Sequence, residues 1–75
     1  MANNVIDLVD FIAKAIVTQP DQINVSEQEG RVLELETAAD DRGRVIGRQG
    51  RVAKAMRAVL GASRHGAGTR LEIVD

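Results

Sequence analysis

Apolar residues recur at three- and four-residue steps at the start of this sequence, then alternate with polar ones, return to helical steps and alternate again. This order of periods restricts the fold more than any other feature. Val5, Leu8, Val9, Ile12 and Ile16 fall on one helical face, with Asp7, Asp10 and Lys14 grouped opposite. Asn4 is placed to cap the first turn, Asp7 sits near the positive end of the helix dipole, and Pro20 closes the segment. Ile6, Ala13 and Val17 widen the apolar stripe beyond what one core contact needs, so a second buried face, a dimer contact, is expected there.

The alternating segments predict strands. Ile23 and Val25 point one way within Gln22 to Glu27; after Gln28-Glu29-Gly30, Leu33 and Leu35 alternate with Glu34 and Glu36 between Arg31 and Thr37, completing a β-hairpin. Leu71 and Ile73 against Arg70 and Glu72 predict a third strand. Between the second and third strands, Asp40 is expected to cap a short helix through Ile46, and Arg51 to Leu60 form another ending at Gly61. On that helix Val52, Ala53, Ala55, Met56, Val59 and Leu60 share a broad packing arc, and Arg51, Lys54 and Arg57 lie toward the complementary one. Either Val59 or Ile6 on the first helix is expected at a dimer contact, and Ala62 to Thr69 reads as a loop. A sheet with one polar face needs its other face covered. The expected fold is therefore α+β, a three-stranded sheet covered by three helices on one face, in the order α-β-β-α-α-β.

Seventy-five residues leave room for one domain, expected to span residues 1–75. So short a chain buries only about 60% of its unfolded surface. Without a cysteine it has no disulfide to add, and dimerisation would help it. The absence of Cys also excludes thiolate metal sites, and no metal or organic cofactor is expected. The first residues lack the basic start and apolar run of a signal peptide, and no window is apolar enough to span a membrane; the chain is read as soluble and cytoplasmic.

A net charge of −1 conceals a division along the chain. Residues 1–41 carry two basic and nine acidic side chains, residues 42–75 eight basic and two acidic. Arg42, Arg44, Arg48, Arg51, Lys54 and Arg57 fall within sixteen positions. Such a concentrated positive field attracts polyanions whatever the overall charge, although a solvated charged face is the plainer explanation when it stands alone.

Inside that segment lies Gly47-Arg48-Gln49-Gly50, between two expected helices. Glycine lets phosphates and sugars approach the main chain, and the N–H groups at the start of the following helix point toward them. Arg48 adds charge and Gln49 hydrogen-bonding capacity; Arg44, Arg51, Lys54 and Arg57 supply sequence-independent attraction. Val45, Ile46, Val52 and Met56 are candidates for an apolar groove floor on which unstacked bases rest. A P-loop is excluded because Gly50 is followed by Arg51-Val52 rather than Lys and Ser or Thr, and Gly66-Ala67-Gly68 lacks the third glycine of a dinucleotide turn.

The run Gly43-Arg44-Val45-Ile46-Gly47-Arg48-Gln49-Gly50-Arg51 resembles the GXXG core of KH domains, and the element order matches their type II form. The chain is similar over essentially its whole length to the bacterial KhpA family. That resemblance implies a cytoplasmic RNA-binding protein, an RNA chaperone, that forms homodimers and pairs with KhpB (Jag or EloR), in a role linked to cell elongation and peptidoglycan homeostasis. It also assigns backbone clamping to Gly47, Arg48, Gln49 and Gly50, and the groove to Val45, Ile46, Val52 and Met56. Gln49 stands where many KH domains have Lys, which removes one charge and implies modest affinity. One such domain holds about four nucleotides, which again favours a dimer.

Other chemistries fit less well. His65, the single histidine, sits in the glycine-containing loop with no partner for catalysis in the sequence pattern. Asp40 and Asp41 are adjacent, so their side chains diverge, and they read as helix-start charges rather than an acid–base pair. No nucleophile–base set emerges, so no enzyme is expected. Besides the RNA-binding module, in which single-stranded DNA is a variant ligand, a structural partner subunit with little RNA binding of its own stays open.

Overall fold

The structure is a computed structural model that describes residues 5–63 and 66–74. The Asn4 cap and His65 lie outside the described residues. Helix α1 spans Val5–Ile16 and turns Val5, Val9 and Ala13, four residues apart, into the interior. A single 3₁₀ turn at Pro20–Gln22 leads into β1 (Asn24–Gln28), which pairs antiparallel with β2 (Val32–Glu36). The connecting turn places Gly30 and Arg31 at φ of 81° and 60°.

From β2 the chain passes through a 3₁₀ turn, Ala39–Asp41, into the short helix α2 (Arg42–Ile46), a second tight turn, and α3 (Arg51–Ala62). It returns as β3 (Arg70–Val74), parallel to β2, giving the sheet order β1-β2-β3. A helical crossover between β2 and β3 is what a parallel pair requires. The α-β-β-α-α-β order and the α+β class agree with the expectation from sequence.

Alternation sorts the sheet into two faces. The inward rows are Glu27, Leu33, Leu71 and Val25, Leu35, Ile73; Leu33, Leu35 and Leu71 are buried beneath α1 and α3 with Val9, Val45, Met56 and Leu60. Each of the fully buried leucines contributes about 1.5–3 kcal/mol by leaving water. The outward rows run Asn24, Glu36, Val74, then Ser26, Glu34, Glu72, then Gln28, Val32, Arg70, so the carboxylates of Glu34 and Glu72 lie side by side on the face that carries no helix, with Arg70 at its end.

Three local expectations change. Asp40 caps nothing: it is exposed, and the residue at the N-cap of α2 is Asp41, whose side chain makes no capping bond. The helix α3 continues through Gly61 to Ala62. Its packing face is also narrower than the arc drawn from sequence. Ala53, Met56 and Leu60 are buried and Val52 half-buried, whereas Ala55 is exposed and Val59 is 44% exposed. On α1, Ile6 packs half-buried against the core, while Phe11, on the helix's polar side, is 74% exposed.

Candidate nucleic-acid interface

The two glycines of the Gly47–Gly50 turn are needed for different reasons. Gly47 has φ 79°, and a Cβ there would stand 2.5 Å from Val52 Cγ2 and 2.8 Å from the Val52 backbone nitrogen. The start of α3 thus packs directly on its main chain. Gly50 is left-handed (φ 74°, ψ 17°), and a Cβ added to it would meet nothing within 4 Å. Its open face is toward the outside. Gln49 between them is also left-handed, at φ 57°, a conformation that costs a non-glycine residue roughly 1 kcal/mol.

Two backbone bonds fix this shape: Gly47 N–H donates to the Gly43 carbonyl at 2.8 Å, and Gly50 N–H to the Gly47 carbonyl at 3.0 Å. With Gly50 at its N-cap, α3 begins without a capping side chain or a first-turn acid, so its positive end faces outward. The charge along this stretch of the chain is of one sign. From residue 42 to residue 71 the sequence contains no Asp or Glu. Arg44, Arg48, Arg51, Lys54 and Arg57 are exposed, and the Arg51 guanidinium reaches the Gln49 side-chain oxygen at 3.5 Å.

The proposed groove residues divide into two pairs. Ile46 is 37% exposed and Val52 half-buried beside Gly47, so both have surface at the turn. Val45 and Met56 are buried core residues that support α2 and α3 from beneath and have no surface to offer a base.

Sequence reasoning missed the residue that sets the position of α2. Asp41 is fully buried, and its Oδ1 accepts bonds from the Thr18 N–H at 3.0 Å and the Thr18 hydroxyl at 2.9 Å. Its Oδ2 accepts one from the Gln19 N–H at 3.0 Å. Arg44 Nε lies 3.6 Å from Oδ1 on the solvent side. The Thr18 N–H above all holds this carboxyl below its ordinary pKa, with the Thr18 hydroxyl, Gln19 and Arg44 adding to the effect, against the opposing push of burial. The missing signal was spatial, because Asp40 and Asp41 look alike in the sequence.

A second unanticipated feature is the outer edge of β3. It is the last strand in the sheet order, so no strand pairs with its outer edge among the described residues. Arg70 N–H donates to the Arg31 carbonyl, toward β2; by alternation the main-chain groups of Leu71 and Ile73 point away from it. Arg57 fastens α3 to that edge, donating from Nε and Nη2 to the Leu71 carbonyl at 3.2 and 3.1 Å.

A three-stranded mixed sheet backed by helices in this order, with Gly-X-X-Gly between α2 and α3, defines a KH domain of the type II arrangement. The chain belongs to the family described as KhpA/KhpB, KH domain, which matches residues 6–74. It is 42% identical over 74 residues to the RNA-binding protein KhpA of Treponema pallidum, covering 92% of each chain. It is 43% identical over 72 residues to the protein of that name from Streptomyces coelicolor, covering 92% of this chain and 90% of the relative. To that of Borreliella burgdorferi it is 39% identical over 77 residues, with 96% and 94% covered. No solved structure matches the chain.

Proposed function

We infer that this chain is one KH domain that binds single-stranded RNA, with the strand's phosphates at the Gly47–Gly50 turn and its bases directed toward Ile46, Val52 and the outer edge of β3. The observation that carries this reading is the turn itself, a Gly50 face open to the outside at the positive end of α3, within a stretch free of acidic residues. Relatives similar over more than nine-tenths of the chain bear the name RNA-binding protein, which supports the same ligand. Binding is a matter of positioning and charge, and no bond is made or broken.

The site holds few nucleotides and offers no aromatic platform, so a single copy binds weakly. The working form is accordingly a pair, either two copies of this chain or this chain with KhpB, and the activity is that of an RNA chaperone in the cytoplasm. The cellular role proposed by resemblance is in cell elongation and peptidoglycan homeostasis.

The test is fluorescence anisotropy of a labelled single-stranded RNA pool at low salt, with the wild type and with Arg48→Asp/Gln49→Asp, which puts two negative charges where phosphate should sit. Loss of binding in the folded double variant is the expected result. Equal binding by both would move the site elsewhere, and no binding by either would favour a structural partner subunit.

A further inference from the structure

The sheet face opposite the helices is bare, and its charges are unmatched. Glu34 and Glu72 are cross-strand neighbours on β2 and β3, about 4.8 Å apart at the main chain, and Glu36 follows Glu34 two positions along the same face. Like charges placed directly opposite one another destabilise a sheet. Among the described residues none of these three carboxylates takes part in an ion pair; Glu36 accepts one long bond, from the Asn24 side chain at 3.5 Å. Arg70, at the far end, is the one cation among the described residues of this face. A cationic surface laid across the carboxylates would relieve their mutual repulsion.

The same chain carries such a surface. Arg48, Arg51 and Lys54, at the glycine turn and the first turn of α3, are exposed and in no ion pair among the described residues. Beyond them α3 turns Ala55, Ala58 and Ala62 outward, all exposed, and side chains this small let another element come close. The acidic face and the cationic one lie on different sides of the molecule, so one chain cannot bring its own two together. A second copy can.

We propose that the bare sheet face of one copy docks on the Arg48–Lys54 surface of another, so that without RNA the protein covers its own binding site, carboxylates standing where phosphates would. The two patches differ, so the contact is heterologous and runs head to tail. It is distinct from the pair of copies that holds RNA. Exposed ion pairs contribute little each and are screened by salt, so the assembly is weak, and RNA, whose backbone also enters the turn, displaces it. The competition rests on RNA binding at the turn; the contact between copies does not.

The experiment is sedimentation velocity of the full chain at low salt over a range of concentrations. The proteins are the wild type, Glu34→Gln/Glu36→Gln/Glu72→Gln and Arg51→Gln/Lys54→Gln, each checked for folding by urea melt. The wild type is expected to exceed the mass of a pair as concentration rises and to fall back at high salt, whereas both variants stop at the pair. A saturating single-stranded RNA of about four nucleotides should act as salt does. A carbodiimide, which condenses a carboxylate with an amine and releases water, should join Lys54 to Glu34, Glu36 or Glu72 between isotope-labelled and unlabelled copies. A wild type that never exceeds a pair, a sheet variant that assembles as the wild type does, or links from Lys54 to other acids alone would overturn the contact. Assembly that persists while anisotropy shows RNA bound would overturn the competition. Assembly that persists because no RNA binds would instead remove the turn as an RNA site and leave the contact standing.

Discussion

Asp41 carries a carboxylate that Thr18, twenty-three positions earlier, grips twice, through its backbone N–H at 3.0 Å and its hydroxyl at 2.9 Å. The segment leaving α1 is thereby fixed to the start of α2, and the turn that follows α2 inherits its place from that contact. Replacing Asp41 by Ala leaves three donors in a buried site without their acceptor. Asp41→Ala is expected to lower the melting temperature more than alanine at any exposed acid, such as Asp40 or Glu27, as thermal unfolding by circular dichroism would show.

The same carboxyl fixes the sign of an acid transition. Its folded pKa lies below the ordinary 3.8, so its stabilisation is complete above that value and is lost as pH falls through the folded pKa. Urea midpoints measured from pH 6 downward should fall for the wild type below about pH 4, and fall less for Asp41→Asn. Parallel curves would show that other carboxylates govern the transition.

Gly47 and Gly50 should respond differently to alanine. At Gly47 a methyl strikes the Val52 backbone, and strain and overlap together predict a loss of about 3 kcal/mol in urea unfolding. At Gly50 the added methyl meets open space, and the left-handed backbone alone costs about 1 kcal/mol. Gly50→Ala should therefore stay folded and, on the proposed function, bind RNA more weakly in anisotropy, because the methyl would stand in the path of the phosphate.

Salt provides an independent check on the charged face. If Arg44, Arg51, Lys54 and Arg57 each neutralise a phosphate, log affinity falls with log salt at a slope of about −3 or steeper, at roughly −0.7 per contact. A flat response in the same titration would leave those side chains without a role in binding.

Val59 projects from α3 at 44% exposure, an apolar side chain that a contact between copies would cover. Sedimentation equilibrium is expected to give twice the chain mass for the wild type and the single-chain mass for Val59→Asp. An unchanged mass for the variant would place the contact elsewhere, with Phe11 the next residue to replace.

The changes of hydrophobic period made the fold legible, because Leu33, Leu35 and Leu71 can be buried together only on one side of a sheet. The Gly47–Gly50 turn was equally visible, set between helical patterns and among arginines. Periodicity did not show which apolar residues near the turn keep any surface; Val45 and Met56 share the helical pattern of Ile46 and Val52, and the packing of α1 and the sheet decides between them. The contacts of Asp41 and Arg57 were not legible for a related reason. Each acts on a main-chain group distant in sequence, a carbonyl of β3 for Arg57 and two amides after α1 for Asp41, and no local spacing announces such a partner.

The carboxylates of Glu34, Glu36 and Glu72 occupy the sheet face that has no helix, while the cations of α2 and α3 lie on the helical side. Folding thus turns a charge asymmetry along the chain into one across the molecule. A polyanion meeting it exerts a torque, turning the sheet away and the glycine turn forward before contact. On the proposed function the outer face of the sheet acts in this way as a rudder, bringing the glycine turn round toward the RNA before the two touch.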